Sequence, residues 1–220
     1  MKIVMDTRFW GPSAWQLFHL ITFEKGMMQS KKQLFGSMKD VLPCKHCRKS
    51  TCEFMKTLPM GHNLALWLYT LHDRVNGKLH KQHAEDPSVI DPQPSPPFEE
   101  VLKTYTELLK SESPKIPGHD FLLSVAYNYN PAIHKSANIV FWDELPKLFP
   151  FYKFRKHMHK PNLTNSETYF KDVHAMFTSM GDTETLNAAK LRISKFKSRC
   201  KGKTCRAGKR GKKTKRSLLF

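Results

Sequence analysis

The stretch from Asn63 to Lys81, NLALWLYTLHDRVNGKLHK, places Leu64, Leu68, Leu71, Val75 and Leu79 at steps of four, three, four and four residues. That rhythm keeps one apolar stripe on one side of an α-helix. Asn63 stands where a short polar side chain can accept from the first unpaired N–H groups, so the helix starts there. A single amphipathic helix cannot bury its own stripe. The flanking segments therefore decide what kind of fold it joins.

Upstream, three further helical patterns precede it. Ser13 is expected to cap a helix carrying Trp15, Leu17, Phe18, Leu20 and Ile21, and Lys31 to Val41 repeats the pattern with Leu34, Phe35 and Met38. Pro43 interrupts the chain just before Cys44, a place where proline is tolerated at a helix start. The next helix sets Cys47, Thr51, Phe54, Met55 and Leu58 at three- and four-residue steps. Four such helices within about eighty residues predict an all-α four-helix bundle.

Downstream, Asp91 to Pro97 (DPQPSPP) holds four prolines in seven residues and can be neither helix nor central strand. It reads as a linker. Beyond it, Phe98, Val101, Leu102, Tyr105, Leu108 and Leu109 define a clean amphipathic helix ended before Pro114. Phe121 to Tyr127 is a short apolar run, residues 138–154 (NIVFWDELPKLFPFYKF) are aromatic and broken by Pro146 and Pro150, and Ser166 to Met180 forms another helix. The expected organisation is a bundle over 1–90, a linker over 91–97, a mainly helical extension over 98–190 packed on the bundle, and a tail over 191–220.

The formal charge of +18 over 220 residues is uneven, because thirteen Lys or Arg and no acid fall between Leu191 and Phe220. Such a tail is expected to be disordered until it meets nucleic acid or an anionic surface. No signal peptide and no membrane-spanning run are expected, which points the five cysteines towards catalytic, metal-binding or incidental roles in a reducing compartment such as the cytoplasm.

Three of those cysteines lie in DVLPCKHCRKSTC, residues 40–52. A zinc site could draw on Cys44, His46, Cys47, Cys52 and His62, but its second cysteine pair is missing unless the tail supplies it. Together with the basic tail, that pattern would describe a zinc-binding, nucleic-acid-binding protein. Redox chemistry needs less. Cysteines at i and i+3 on a first helical turn can bridge, and the helix N-terminus, Lys45 and Arg48 favour a thiolate. In that reading Cys44 is the exposed partner, Cys47 the inner one, and Cys52 a buried apolar filler.

Two more pairs complete an order. Trp15-Gln16-Leu17-Phe18-His19 reads W-x-x-x-H after Gly11, Pro43 to Cys47 reads P-C-x-x-C, and His72 to Lys81 (HDRVNGKLHK) follows H-N-x-V-N-x-x-L-x-K with one substitution. This set resembles the Erv/ALR family of FAD-linked sulfhydryl oxidases. Trp10-Gly11-Pro12 and FLLSVAYNYNP also resemble members encoded by large DNA viruses, whose substrates would be virion proteins in host cytoplasm. The resemblance implies a helical cradle for FAD, with a short extra helix beside the bundle. Gly11, Pro12, Trp15 and His19 would line one wall, and His72, Asp73, Val75, Asn76, Lys78, Leu79 and Lys81 would hold the ring and phosphates. It implies that Cys44 and Cys47 oxidise protein dithiols and that electrons pass through FAD to O2, giving hydrogen peroxide. It further implies a homodimer formed through the first helices, and a second cysteine pair, here Cys200 and Cys205, acting as an electron shuttle. Two departures stand out: Asp73 replaces the family's asparagine, and Tyr69 occupies a place where many members carry a cysteine of a structural disulfide.

Overall fold

In the computed structural model, the described residues are 3–87, 89, 91–111 and 115–199. Ten helices and one short antiparallel strand pair account for them. The first helix begins earlier than the sequence suggested. Asp6 accepts from the Arg8 N–H at 2.9 Å and starts α1 (Thr7–Phe23), so Ser13 lies inside the helix, where its hydroxyl accepts from the Phe121 N–H at 3.4 Å. Gly26 and Met27 then adopt left-handed backbone and turn the chain into α2 (Met28–Val41).

Helix α3 (Lys45–Thr57) is capped by Cys44, and α4 (Leu64–Glu85) by Asn63, which accepts from the Leu66 N–H at 2.9 Å as its sequence position predicted. The indole of Trp67 donates to the Leu58 carbonyl at 2.9 Å and ties the end of α3 to α4. Helix α5 (Phe98–Leu109) follows the proline-rich segment and packs on α1.

The second half is helical throughout: α6 (His119–Tyr127), α7 (Pro131–Leu148), α8 (Tyr152–Arg155), α9 (Ser166–Ser179) and α10 (Leu186–Ser194). Pro146 does not break its segment, because α7 runs through it to Leu148. A proline so near the helix end removes one N–H bond, and the burial of Phe141, Trp142, Leu145 and Leu148 on the same helix offsets that loss. Residues 191–199, expected to open the tail, instead finish α10 and form strand β2 (Lys197–Arg199), which pairs with β1 (Ile3–Met5). Cys200, Cys205 and the remainder of the basic tail lie outside the described residues.

The two halves share one core. Leu17, Phe18 and Phe35 fall in the same buried cluster as Phe121, Phe141, Trp142 and Phe177. Helix α6 covers α1, and α7 covers α2 in the most extensive helix contact of the fold. Gly118, at φ 72°, makes the first of these possible: a Cβ there would sit 2.5 Å from Cδ2 of Leu17. Within the second half, Tyr169 accepts from the Trp142 indole and donates to Asn138 at 2.9 Å, so these three buried side chains are paired.

Candidate redox site

Cys44 forms the N-cap of α3, with its Sγ accepting from the Cys47 N–H at 3.2 Å. A sulfur in this position lies at the positive end of the helix dipole and receives a backbone donor, both of which favour the thiolate. The accessibility is the reverse of the sequence expectation: Cys44 is fully buried in the core cluster, and Cys47 is half-buried. The cause is the capping geometry, which folds the Cys44 side chain back under the helix while Cys47, three residues on, projects from its side. Arg48 donates to the Leu42 carbonyl and holds the Leu42–Cys44 turn against the helix.

Cys47 shares its helix face with Ser50, Phe54 and Thr57. That face looks towards α4, since Lys78 donates to the Ser50 hydroxyl and Arg74 to the Thr57 hydroxyl at 2.7 Å. The two helices run antiparallel, and Cys47, one turn before Ser50, comes level with α4 beyond Lys78. The face is loosely packed. Phe54, Met55 and Leu58 are only half-buried, and Ser50 and Thr51 are the buried residues of α3.

Helices α1 and α4 also run antiparallel, and they bring the first and third motifs together. The Trp15 ring stacks on His72 at 3.9 Å and 14°, and Nε2 of His19 lies 3.4 Å from Nδ1 of His72. Burial drives the His19 pKa down to about 3, and burial together with the neighbouring His19 holds His72 well below the ordinary imidazole range. Both rings are therefore neutral. One proton lies between them, and Nδ1 of His19 is left buried without a hydrogen-bond partner.

The remaining expected residues divide. Asn76 is buried; its amide donates to the Ser95 hydroxyl at 3.4 Å, and Ser95 in turn donates to Asp73 at 2.7 Å. Asp73, where the resembling family carries asparagine, thus anchors the proline-rich segment on α4. Tyr69 does the same work beside it, donating to the Pro96 carbonyl at 2.8 Å and meeting the Phe98 ring edge-on. Val75, Lys78 and Leu79 are half-buried along α4, while Lys81 is exposed. Gly11 and Pro12 are half-buried one turn before Trp15, and Gly11 faces open space. Cys52, expected as buried filler, is half-buried and lines a surface cavity with Lys39, Arg48, Lys49 and His134.

Sequence reasoning missed Ser50, Ser95 and Tyr105 as neighbours of these residues. Tyr105 was legible as a buried position of α5, but no periodicity states which partner a buried ring will meet.

The set fits a flavin. Flat aromatic and imidazole surfaces, an imidazole nitrogen awaiting a partner, open space beside Gly11 and a half-open apolar face on α3 suit an isoalloxazine, and Lys78 and Lys81 suit a diphosphate. Metal ligation gathers elsewhere. Among the described residues the one group of convergent ligands is His119, Asp182 and Glu184, which includes no cysteine, and Arg192 already forks onto Glu184 at 2.8 Å.

A helical bundle with two cysteines at a helix start, and with a cluster of neutral imidazole and indole rings between two neighbouring helices, has the parts of a thiol redox protein. The model of the Erv1 / Alr family matches residues 12–93, from Pro12 through the proline-rich segment's start, and this supports a sulfhydryl oxidase of that kind, an oxidoreductase acting on thiols. No curated protein and no solved structure matches the chain. Among the described residues, no helix is long and apolar enough to cross a membrane.

Proposed function

We propose that the chain is an FAD-linked sulfhydryl oxidase that forms disulfides in protein substrates. The observation that carries this reading is the Cys44 Sγ capping α3 through the Cys47 N–H, on a helix whose Cys47 face turns to the α4 motif.

The chain's own chemistry runs through the Cys44–Cys47 disulfide. A substrate thiolate attacks Cys44; the Cys44–Cys47 bond breaks, a mixed disulfide forms, and Cys47 leaves as a thiolate. The second substrate thiol then attacks the substrate sulfur of that mixed disulfide, releasing the oxidised substrate and leaving Cys44 and Cys47 reduced. Two electrons and two protons have moved. FAD, when bound, would supply the two-electron acceptor for the reduced Cys44 and Cys47, with O2 as the final acceptor and hydrogen peroxide as the product. Trp15, His19, His72 and Asn76 would hold the ring, and Lys78 and Lys81 the phosphates. Because Cys44 is buried, a protein substrate must first lift the Leu42–Cys44 turn that Arg48 holds.

A homodimer meeting through the first helices would have to use faces other than those already covered by α6 and α7. Action on virion proteins in host cytoplasm belongs to the same proposal and would be checked by locating the tagged chain during infection. The Cys200–Cys205 shuttle would be checked by replacing both residues and comparing turnover on protein and small dithiols. The decisive experiment is an absorbance spectrum of the purified protein with oxygen uptake on adding dithiothreitol. A yellow protein that consumes oxygen supports the reading; a colourless one that consumes none overturns it.

A further inference from the structure

The family match stops at residue 93, yet the cluster around His19 does not. Tyr105, on α5, is 1 % exposed and stacks on the His19 ring, with centroids 4.9 Å apart and planes 27° from parallel. Phe23 joins the same group, 5.7 Å and 12° from Tyr105 and 6.2 Å and 22° from His19, and Phe98 stacks on Phe23 at 6.3 Å. Of the rings around the imidazole Tyr105 is the nearest; Phe23 stacks at 6.2 Å, while His72 at 5.6 Å and Trp15 at 6.3 Å are tilted. The imidazole Nε2 meets His72, its Nδ1 has no hydrogen-bond partner, and a ring so placed is kept from turning about χ2 by its neighbours' faces.

We infer that Tyr105 is a positioning residue of the redox site: its ring face holds the plane of His19 so that Nε2 keeps its hydrogen bond to His72, which sets the His19 tautomer, and the segment beyond the matched region thereby completes the site. The inference rests on the sulfhydryl-oxidase reading for its consequence, though not for its geometry. Helix α5 is held for this purpose at its start, where Tyr69 bonds Pro96 and Asp73 bonds Ser95. The Asp73 and Tyr69 departures from the family pattern thereby acquire a common role. They fasten the segment that delivers Tyr105.

The test uses the full chain and four variants. Tyr105→Met keeps volume without a flat face, Tyr105→Leu is a second apolar replacement, and Tyr105→Phe restores the face. Val101→Ala is the packing control, since Val101 is equally buried on α5 in the same small cluster with Leu20. Imidazole nitrogen resonances of His19 in flavin-free protein report the tautomer directly, and the dissociation constant of added FAD reports the consequence. Tyr105→Met and Tyr105→Leu are expected to average the two His19 tautomers and weaken FAD about tenfold, as loss of a supporting contact does when geometry decides binding. Tyr105→Phe is expected to restore both signals, and Val101→Ala to leave both unchanged.

An unaltered His19 tautomer in Tyr105→Met overturns the inference, as does a Val101→Ala protein that changes both signals equally. Should both apolar variants fail to fold while Val101→Ala folds, the ring is a fold element and the inference also falls. Should the wild-type chain bind no FAD, the functional reading fails, and the His19 resonances alone decide the role of Tyr105.

Discussion

Helices α3 and α6 are both short, and they sit in the fold in opposite ways. Over nine residues α6 buries six, from Phe121 to Ala126, wedged between α1 and α9 with Gly118 permitting contact at Leu17. Over thirteen residues α3 buries Ser50 and Thr51, leaving Cys47, Phe54, Met55 and Leu58 half-covered beside α4. A helix packed on all sides resists movement and offers no room for a ligand. A helix held by a cap, a few polar ties and a half-covered face can receive a flat cofactor and let a turn open. Helices α6 and α7 are thus scaffold for α1 and α2, and the two cysteines of the proposed site stand at the start of the less buried α3.

The largest expected effect separates chemistry from scaffold. Cys44→Ser and Cys47→Ser should each lower dithiol-driven oxygen uptake about a thousandfold or more, because one thiol cannot carry the two-electron exchange. FAD absorbance and thermal midpoint should change little for Cys47→Ser; a full loss of flavin would contradict its placement on a loosely packed face.

Trp142→Ala addresses the opposite side. Truncating a ring that is 1 % exposed should cost about 3–5 kcal/mol in urea unfolding. Because both halves share one core, a single transition should shift as a whole. Two separated transitions, with the bundle unmoved, would break the comparison by making the halves independent.

Acid should weaken the α1–α4 contact. His19 titrates near 3 when folded and near 6.5 when unfolded, so the unfolded chain binds more protons between those values and stability falls as pH drops from about 6.5 towards 3. His72 is displaced in the same direction. Each buried imidazole contributes at most about 1.4 kcal/mol per pH unit, and His19→Gln should flatten the slope of unfolding free energy against pH. An unchanged slope would mean that other groups control it.

Gly118→Ala should cost about 1–3 kcal/mol, from the contact with Leu17 and the left-handed backbone together, read from urea midpoints. The smallest effect concerns the turn over Cys44. Arg48→Met should raise the alkylation rate of Cys44 severalfold with stability within about 1 kcal/mol of wild type. Alkylation as slow as in the wild type would show that Arg48 does not hold the turn.

Much of the first half was legible without coordinates. The α4 stripe, the Asn63 cap, the Pro43 break and the C-x-x-C spacing are local features, and local hydrogen bonding and helical period act within a turn or two of chain. Reading failed where distant partners intervened. Ser13 looked like a cap, but Asp6 lay further upstream; Pro146 looked like a breaker, but buried rings on both sides held α7 through it. Residues 191–199 looked like tail by charge alone, yet the last turn of α10 buries Ile193 and β2 pairs with β1.

The sequence by itself determined the all-α class, the helix starts with clear caps, and the residue types able to do thiol chemistry. Only the tertiary structure decided that Cys44 is the covered sulfur, that Asp73 and Tyr69 hold the proline-rich segment, and that Tyr105 meets His19. Spacing along a helix says which side chains share a face. Which face meets which is set by how ten helices fill one core, and that is a property of the whole chain.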